Sequence, residues 1–170
     1  MNKKIIGCGI LLAIFLLIFL SCGKKESAVP EVNFEFRDVG DFMDVLSNNP
    51  HGVFANRDGS SLRTQILTFQ FIDGNKVYFG TNREKPLYRQ LRANPQASYC
   101  AFPADWEPVV SLNGTVVFVE DRKTKARALE GEYLNKYYQS PDDPNLMVFY
   151  IDVDLIETYS SEGAQIFRAK

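Results

Sequence analysis

Tyr78-Phe79-Gly80-Thr81-Asn82-Arg83-Glu84-Lys85 reads as the end of a strand running into the start of a helix. Val77 to Thr81 has strand character. Leu87, Tyr88 and Leu91 then recur at helical spacing until Asn94-Pro95 stops them. At the junction Thr81 offers a hydroxyl, Asn82 an amide and Lys85 an ammonium, and the first backbone N–H groups of the helix add donors. That set suits an anion such as a phosphate. It equally suits a capped surface helix with a solvated lysine, and the residue types alone leave both readings open.

Upstream, Asp73-Gly74-Asn75 is a hairpin turn, so Leu62 to Ile72 is the strand that pairs with Val77 to Thr81. Asp58-Gly59 marks the preceding turn and Gly52 to Asn56 the strand before it. Alternation puts Arg63 and Gln65 on the same face as Leu67, Phe69 and Phe71. An apolar face that turns polar at one end either reaches solvent or clasps a ligand. Further back, Val39, Phe42, Met43 and Leu46 predict a helix that stops at Asn48-Asn49-Pro50.

Downstream, Ala97 to Phe102 and Val109 to Glu120 are strands, and Gly114 inside the second predicts a bulge or sharp bend. Asp121 to Tyr138 is expected to be the longest helix, capped by Asp121, with Ala126, Leu129, Tyr133 and Tyr137 along one face. Glu132 and Lys136 form an i,i+4 pair on it. Met147 to Asp154 and Glu157 to Ser160 close the chain as strands. Six or seven strands joined largely by turns predict a mainly β fold with peripheral helices, a small antiparallel barrel rather than a doubly wound sheet.

The N-terminus has a different character. Lys3 and Lys4 precede a run from Ile5 to Leu20 that carries no charge. A positive start, an apolar core and a small residue before a break make an export signal. The run is shorter than the ~20 residues a membrane-crossing helix prefers. No paired arginines are present, so export of an unfolded chain is expected, with any cofactor acquired outside the cytoplasm. Phe19-Leu20-Ser21-Cys22-Gly23 resembles a bacterial lipoprotein signal, which implies acylation of Cys22; an uncleaved signal anchor is the alternative. The expected organisation is a signal over 1–22, a polar linker over 23–33 and one domain over 34–170, held at the cell membrane and facing away from the cytoplasm.

Composition narrows the chemistry. The net charge is −2, and no basic tract follows Lys25, which argues against nucleic acid as a partner. Of the three cysteines, Cys8 and Cys22 lie in the leader, so Cys100 reads as a lone structural thiol. His51 is the one histidine, and no metal-binding or nucleophile motif appears, so no metal and no catalytic residue is assigned.

Thr81-Asn82-x-x-Lys85, then Gln90-Leu91-x-x-Asn94-Pro95 and Ser98 to Phe102, together resemble the pyridoxamine 5′-phosphate oxidase-like split barrels that bind FMN. Arg63-Thr64-Gln65 after the Asp58-Gly59 turn matches too, as do Leu112-Asn113-Gly114-Thr115-Val116-Val117, Val148-Phe149-Tyr150 and Thr158-Tyr159-Ser160. The likeness runs from about Phe36 to Ile166. It implies a six-stranded antiparallel split β-barrel and a homodimer with FMN sites between subunits. It implies that Arg63, Thr81 and Lys85 hold the flavin phosphate, that Asn82 supports it, and that Thr64 and Gln65 line the ring edge. Trp106 is placed either to reach the partner's flavin or to sit at the interface rim.

Two departures bear on activity. Ser111 stands where small members often carry an arginine, and the vitamin B6 enzyme's substrate-phosphate residues are not recognisable. Oxidation of pyridoxamine phosphate is therefore not expected, and His51 reads as a loop histidine. The resemblance implies an FMN-dependent oxidoreductase acting on a small molecule. The alternative is a non-enzymatic flavin- or haem-binding lipoprotein.

Overall fold

The structure is a computed structural model that describes residues 39–102 and 107–169. Cys22, the leader, the linker and Trp106 lie outside the described residues.

The chain begins with helix α1 (Val39–Ser47) and strands β1 (His51–Asp58), β2 (Ser61–Asp73) and β3 (Lys76–Asn82). Helix α2 (Pro86–Ala93), β4 (Gln96–Ala101) and β5 (Val109–Val119) follow, then α3 (Arg122–Ala128), a 3-10 turn (Leu134–Lys136), β6 (Leu146–Ser160) and β7 (Gly163–Arg168). The sheet order is β3-β2-β1-β4-β5-β6-β7, all antiparallel, and β3 also pairs with β6. That last pairing, Lys76↔Asp152 through Asn82↔Leu146, closes six strands into a barrel. The fold is the split barrel expected from the sequence.

Turn chemistry sets the register of the first three strands. Gly59 and Gly74 open the β1–β2 and β2–β3 hairpins with φ of 59° and 54°, a region most side chains avoid. Gly114 fulfils a different need. A β-carbon there would run into the Asp152 carbonyl oxygen and lie 2.8 Å from Ile151 Cγ2. Opposite it the pairing jumps from Asn113↔Leu155 to Gly114↔Val153, so Asp154 is the extra residue of a bulge in β6.

The barrel interior is aromatic. Phe54, Phe79, Tyr99 and Phe149 are fully buried, with ring centroids 5.0–5.9 Å apart in the contacting pairs. Phe42, Met43 and Leu46 of α1 and Leu87 and Leu91 of α2 join the same core. Both helices thus spend their apolar stripe on the barrel, α1 before the start of β1 and α2 beside its end. A second cluster lies outside the barrel, where Ala128, Leu134 and Tyr138 pack on Tyr78, Leu146 and Val148.

Several local expectations need correction. Phe71 does not share a face with Phe69, because the register slips at Gln70 and turns Phe71 into the outer cluster. The long helix does not reach Tyr138. It stops at Ala128, and Gly131 lies in the break before the 3-10 turn. Its start is as expected, with Thr124 N–H donating to Asp121 Oδ1 at 2.8 Å, a bond that holds the Asp121 carboxyl below the usual range. The two closing strands are one continuous strand, Leu146–Ser160, and β7 follows it.

Candidate functional site

β3 ends at Asn82, and the next residues make a tight turn into α2. Glu84 N–H donates to Asn82 Oδ1 at 2.8 Å and Lys85 N–H donates to Asn82 O at 3.1 Å. Arg83 is tied back to the loop before β6, its backbone N–H on Asn145 O at 2.9 Å and its Nε on Pro144 O at 2.9 Å. The Asn82 carbonyl oxygen is therefore engaged in building the turn. Burial pushes the Tyr138 phenol up, against the opposing effect of its hydrogen bond with Asn82.

That turn places Lys85 between two clefts. One, of about 220 Å³, is bordered by Arg63, Thr64, Gln65, Lys85 and Gln90. The other, of about 620 Å³, is bordered by Gly80, Thr81, Asn82, Glu84, Lys85 and the tyrosines Tyr133, Tyr137 and Tyr138. Residues drawn from β2, β3 and α2 thus share cleft walls with Lys85. Six of the sequence-predicted residues (Arg63, Thr64, Gln65, Thr81, Asn82 and Lys85) border these two clefts. His51 does not; it is exposed and its Nδ1 lies 2.8 Å from Thr68 Oγ1.

Electrostatics favour an anion in the smaller cleft, whose lining carries two cations and no carboxylate. Lys85 has no acidic partner among the described residues. Arg63 is held loosely by Asp58, with Nε and Nη2 each 3.5 Å from Oδ2 and both side chains about half exposed. An exposed pair of that length is worth ~0–1 kcal/mol, which a phosphate can displace. Among the described residues no group of three or more His, Cys, Asp or Glu could hold a metal ion.

Two features were not anticipated. Gln90 of α2 donates to Asp58 Oδ2 at 3.1 Å and accepts from Asn56 Nδ2 at 3.0 Å, linking α2 to the Asp58–Arg63 pair. The signal was its position beside Leu87 and Leu91, which faces a polar side chain inward. The tyrosine wall is the second. Leu134 seats its segment on Gly80, and Tyr133 and Tyr137 stay exposed with rings 5.6 Å apart.

An antiparallel split barrel with this β3–α2 junction defines the class. Residues 47–160 match the model of the pyridoxamine 5′-phosphate oxidase family, and the chain belongs to that family. No curated protein matches it. Among solved structures it is similar to a NimC/NimA family protein from Clostridium acetobutylicum, at 22% identity and a TM-score of 0.67 over 75% of this chain and 91% of that one. A pyridoxamine 5′-phosphate oxidase-related, FMN-binding protein from Nostoc punctiforme aligns at 14% identity and a TM-score of 0.59 over 80% and 92%. A heme-binding protein from Mycobacterium smegmatis aligns at 17% identity and a TM-score of 0.62 over 74% and 55%.

Proposed function

We propose that this protein binds FMN and serves as a membrane-anchored oxidoreductase outside the cytoplasm. The observation that carries the reading is the position of Lys85, shared by a cleft holding Arg63, Thr64 and Gln65 and a cleft holding Thr81 and Asn82. Arg63 and Lys85 supply two positive charges for a phosphate, and a bidentate arginine adds direction as well as charge. Thr81 adds a hydroxyl, and Asn82 fixes the turn that presents Lys85. Tyr133, Tyr137 and Tyr138 line a cleft whose size and aromatic walls suit a flat ring system. The flavin, when bound, supplies the hydride or electron transfer to a small molecule. The chain's own residues anchor, orient and partly desolvate it.

The site is expected to be completed by a second copy of the chain. Thr64 borders the Lys85 cleft and sits between Leu62 and Ile66, which are 72% and 69% exposed on the outer face of β2. The family's homodimer would cover those two side chains and bring the partner's surface against Thr64.

The test is calorimetric titration of the detergent-extracted full-length protein with FMN and with riboflavin, which lacks the phosphate. FMN should bind in the micromolar range or tighter, and Arg63→Ala with Lys85→Ala should abolish its advantage over riboflavin. Absence of FMN binding would sink the reading. A non-enzymatic flavin- or haem-binding lipoprotein is the second reading, supported by the shared fold of the Mycobacterium smegmatis heme-binding protein. Haem uptake with a Soret band, or bound flavin that NADH and NADPH fail to reduce, would favour it. Acylation at Cys22 predicts that Cys22→Ala leaves the protein out of the membrane fraction.

A further inference from the structure

A second cationic hollow lies on the other side of α2. It measures about 310 Å³ and is bordered by Arg57, Asp58, Gly59, Arg89 and the shared Pro86 and Gln90. Gln90 and Pro86 also border the Arg63–Lys85 cleft, so the two hollows are neighbours that share a wall.

The charges of this hollow are weakly engaged. Arg57 has no acidic partner among the described residues. Arg89 donates from Nη1 to the Glu84 carbonyl at 3.3 Å, which leaves its other donors available. Asp58, the carboxylate in the wall, is turned to Gln90 at 3.1 Å and Arg63 at 3.5 Å. Nothing lies within 4 Å of where a β-carbon on Gly59 would stand, so the floor is open backbone. Arg57, Arg63, Lys85 and Arg89 gather around one short helix in a chain whose net charge is −2. Such a gathering of cations attracts an anion, and the one carboxylate in the wall, Asp58, offsets only part of their charge. Arg63 and Lys85 suffice for one phosphate, and Arg57 and Arg89 are left over.

We propose that the Arg57–Arg89 hollow is a second phosphate subsite, next to the first, and that the protein takes a flavin dinucleotide in preference to the mononucleotide. This rests on the flavin reading above and adds the ligand class. The diphosphate would run from the Arg63–Lys85 cleft across Gln90 to Arg57 and Arg89, with the nucleoside beyond it towards solvent.

Calorimetric titration of the full-length protein with riboflavin, FMN and FAD at one ionic strength separates the two claims. The riboflavin-to-FMN step reports on Arg63 and Lys85, and the FMN-to-FAD step on Arg57 and Arg89. FAD should bind about tenfold tighter than FMN, the worth of a charge-assisted contact. Arg57→Gln with Arg89→Gln should erase that step and leave the FMN dissociation constant unchanged. Both arginines are exposed, so the variants should fold, which circular dichroism checks. Equal binding of FAD and FMN by the wild type overturns the proposal and leaves the flavin reading standing. A step that survives in the double variant, or a variant that weakens FMN as much as FAD, overturns it as well. If FMN binds no tighter than riboflavin, the phosphate assignment fails and takes the second subsite with it.

Discussion

Leu134 occupies the space that a β-carbon on Gly80 would need, with Cδ2 and Cγ 2.6 and 3.0 Å from that position. Gly80 faces outward on β3, and Leu134, 2% exposed, anchors the 3-10 turn to it. The tyrosine wall of the larger cleft hangs on this contact. Gly80→Ala should force Leu134 off the strand and cost about 1–3 kcal/mol, the usual penalty for overpacking. Urea unfolding measures it. Adding Leu134→Ala should recover part of the loss, because the two changes share one contact.

Phe79 sits in the middle of the interior, fully buried, with ring centroids 5.0 Å from Tyr99, 5.5 Å from Phe149 and 5.7 Å from Phe54. Phe79→Ala removes a ring that three others lean on. The expected cost is about 3–5 kcal/mol in urea unfolding, with the slope of the transition unchanged.

What the sequence disclosed follows from which signals are local. The Asp58-Gly59 and Asp73-Gly74 turns and the Gly114 irregularity were readable because each is written in one or two residues. The junction from Thr81 to Lys85 was readable for the same reason, and it carries most of the candidate site. The bulge at Gln70 was not, since Gln70 differs in nothing from a regular strand residue. Only the pairing of Phe69 with Phe79 and Phe71 with Tyr78 reveals it. The break after Ala128 was masked by Leu129, Tyr133 and Tyr137, whose helical spacing outweighed the single Gly131. Of these, only Leu129 packs on the outer cluster, whereas Tyr133 and Tyr137 stay exposed and Leu134 is the residue that seats the segment on β3, a tertiary effect that periodicity does not see. The Asn56–Gln90–Asp58 link was hidden because it joins two elements far apart in sequence.

Cys100 is half-buried on β4, between Val53 and Ser111 of the neighbouring strands, and burial pushes its thiol up. Raised in the folded state, its protonated form adds stability that is fully present below the ordinary thiol value, near 8.5, and is lost as pH rises through the folded value. At pH 8 the peptide carrying Cys100 should therefore alkylate several-fold more slowly in the folded protein than in urea, as read by mass spectrometry. The gap should narrow as pH rises. Equal rates at pH 8 would contradict the burial argument.

Asp58 and the bound anion compete for Arg63. The carboxylate lies 3.5 Å from the guanidinium, and Gln90 steadies it with a hydrogen bond of 3.1 Å. Asparagine at position 58 keeps the shape and can still accept from Gln90, but it no longer holds Arg63 by charge. Asp58→Asn should change stability by less than about 1 kcal/mol, because the pair is about half exposed. Its effect on binding should be larger. With the competing charge gone, Arg63 is free to pair with phosphate, and FMN affinity should rise roughly two- to tenfold at low salt. The gain should shrink as salt shortens the screening length below about 10 Å. Calorimetric titrations of wild type and Asp58→Asn at two salt concentrations give both numbers. A fall in affinity would mean that Asp58 aims Arg63 at the ligand rather than withholding it, and the Asn56–Gln90–Asp58 chain would then be the support that keeps Arg63 in place.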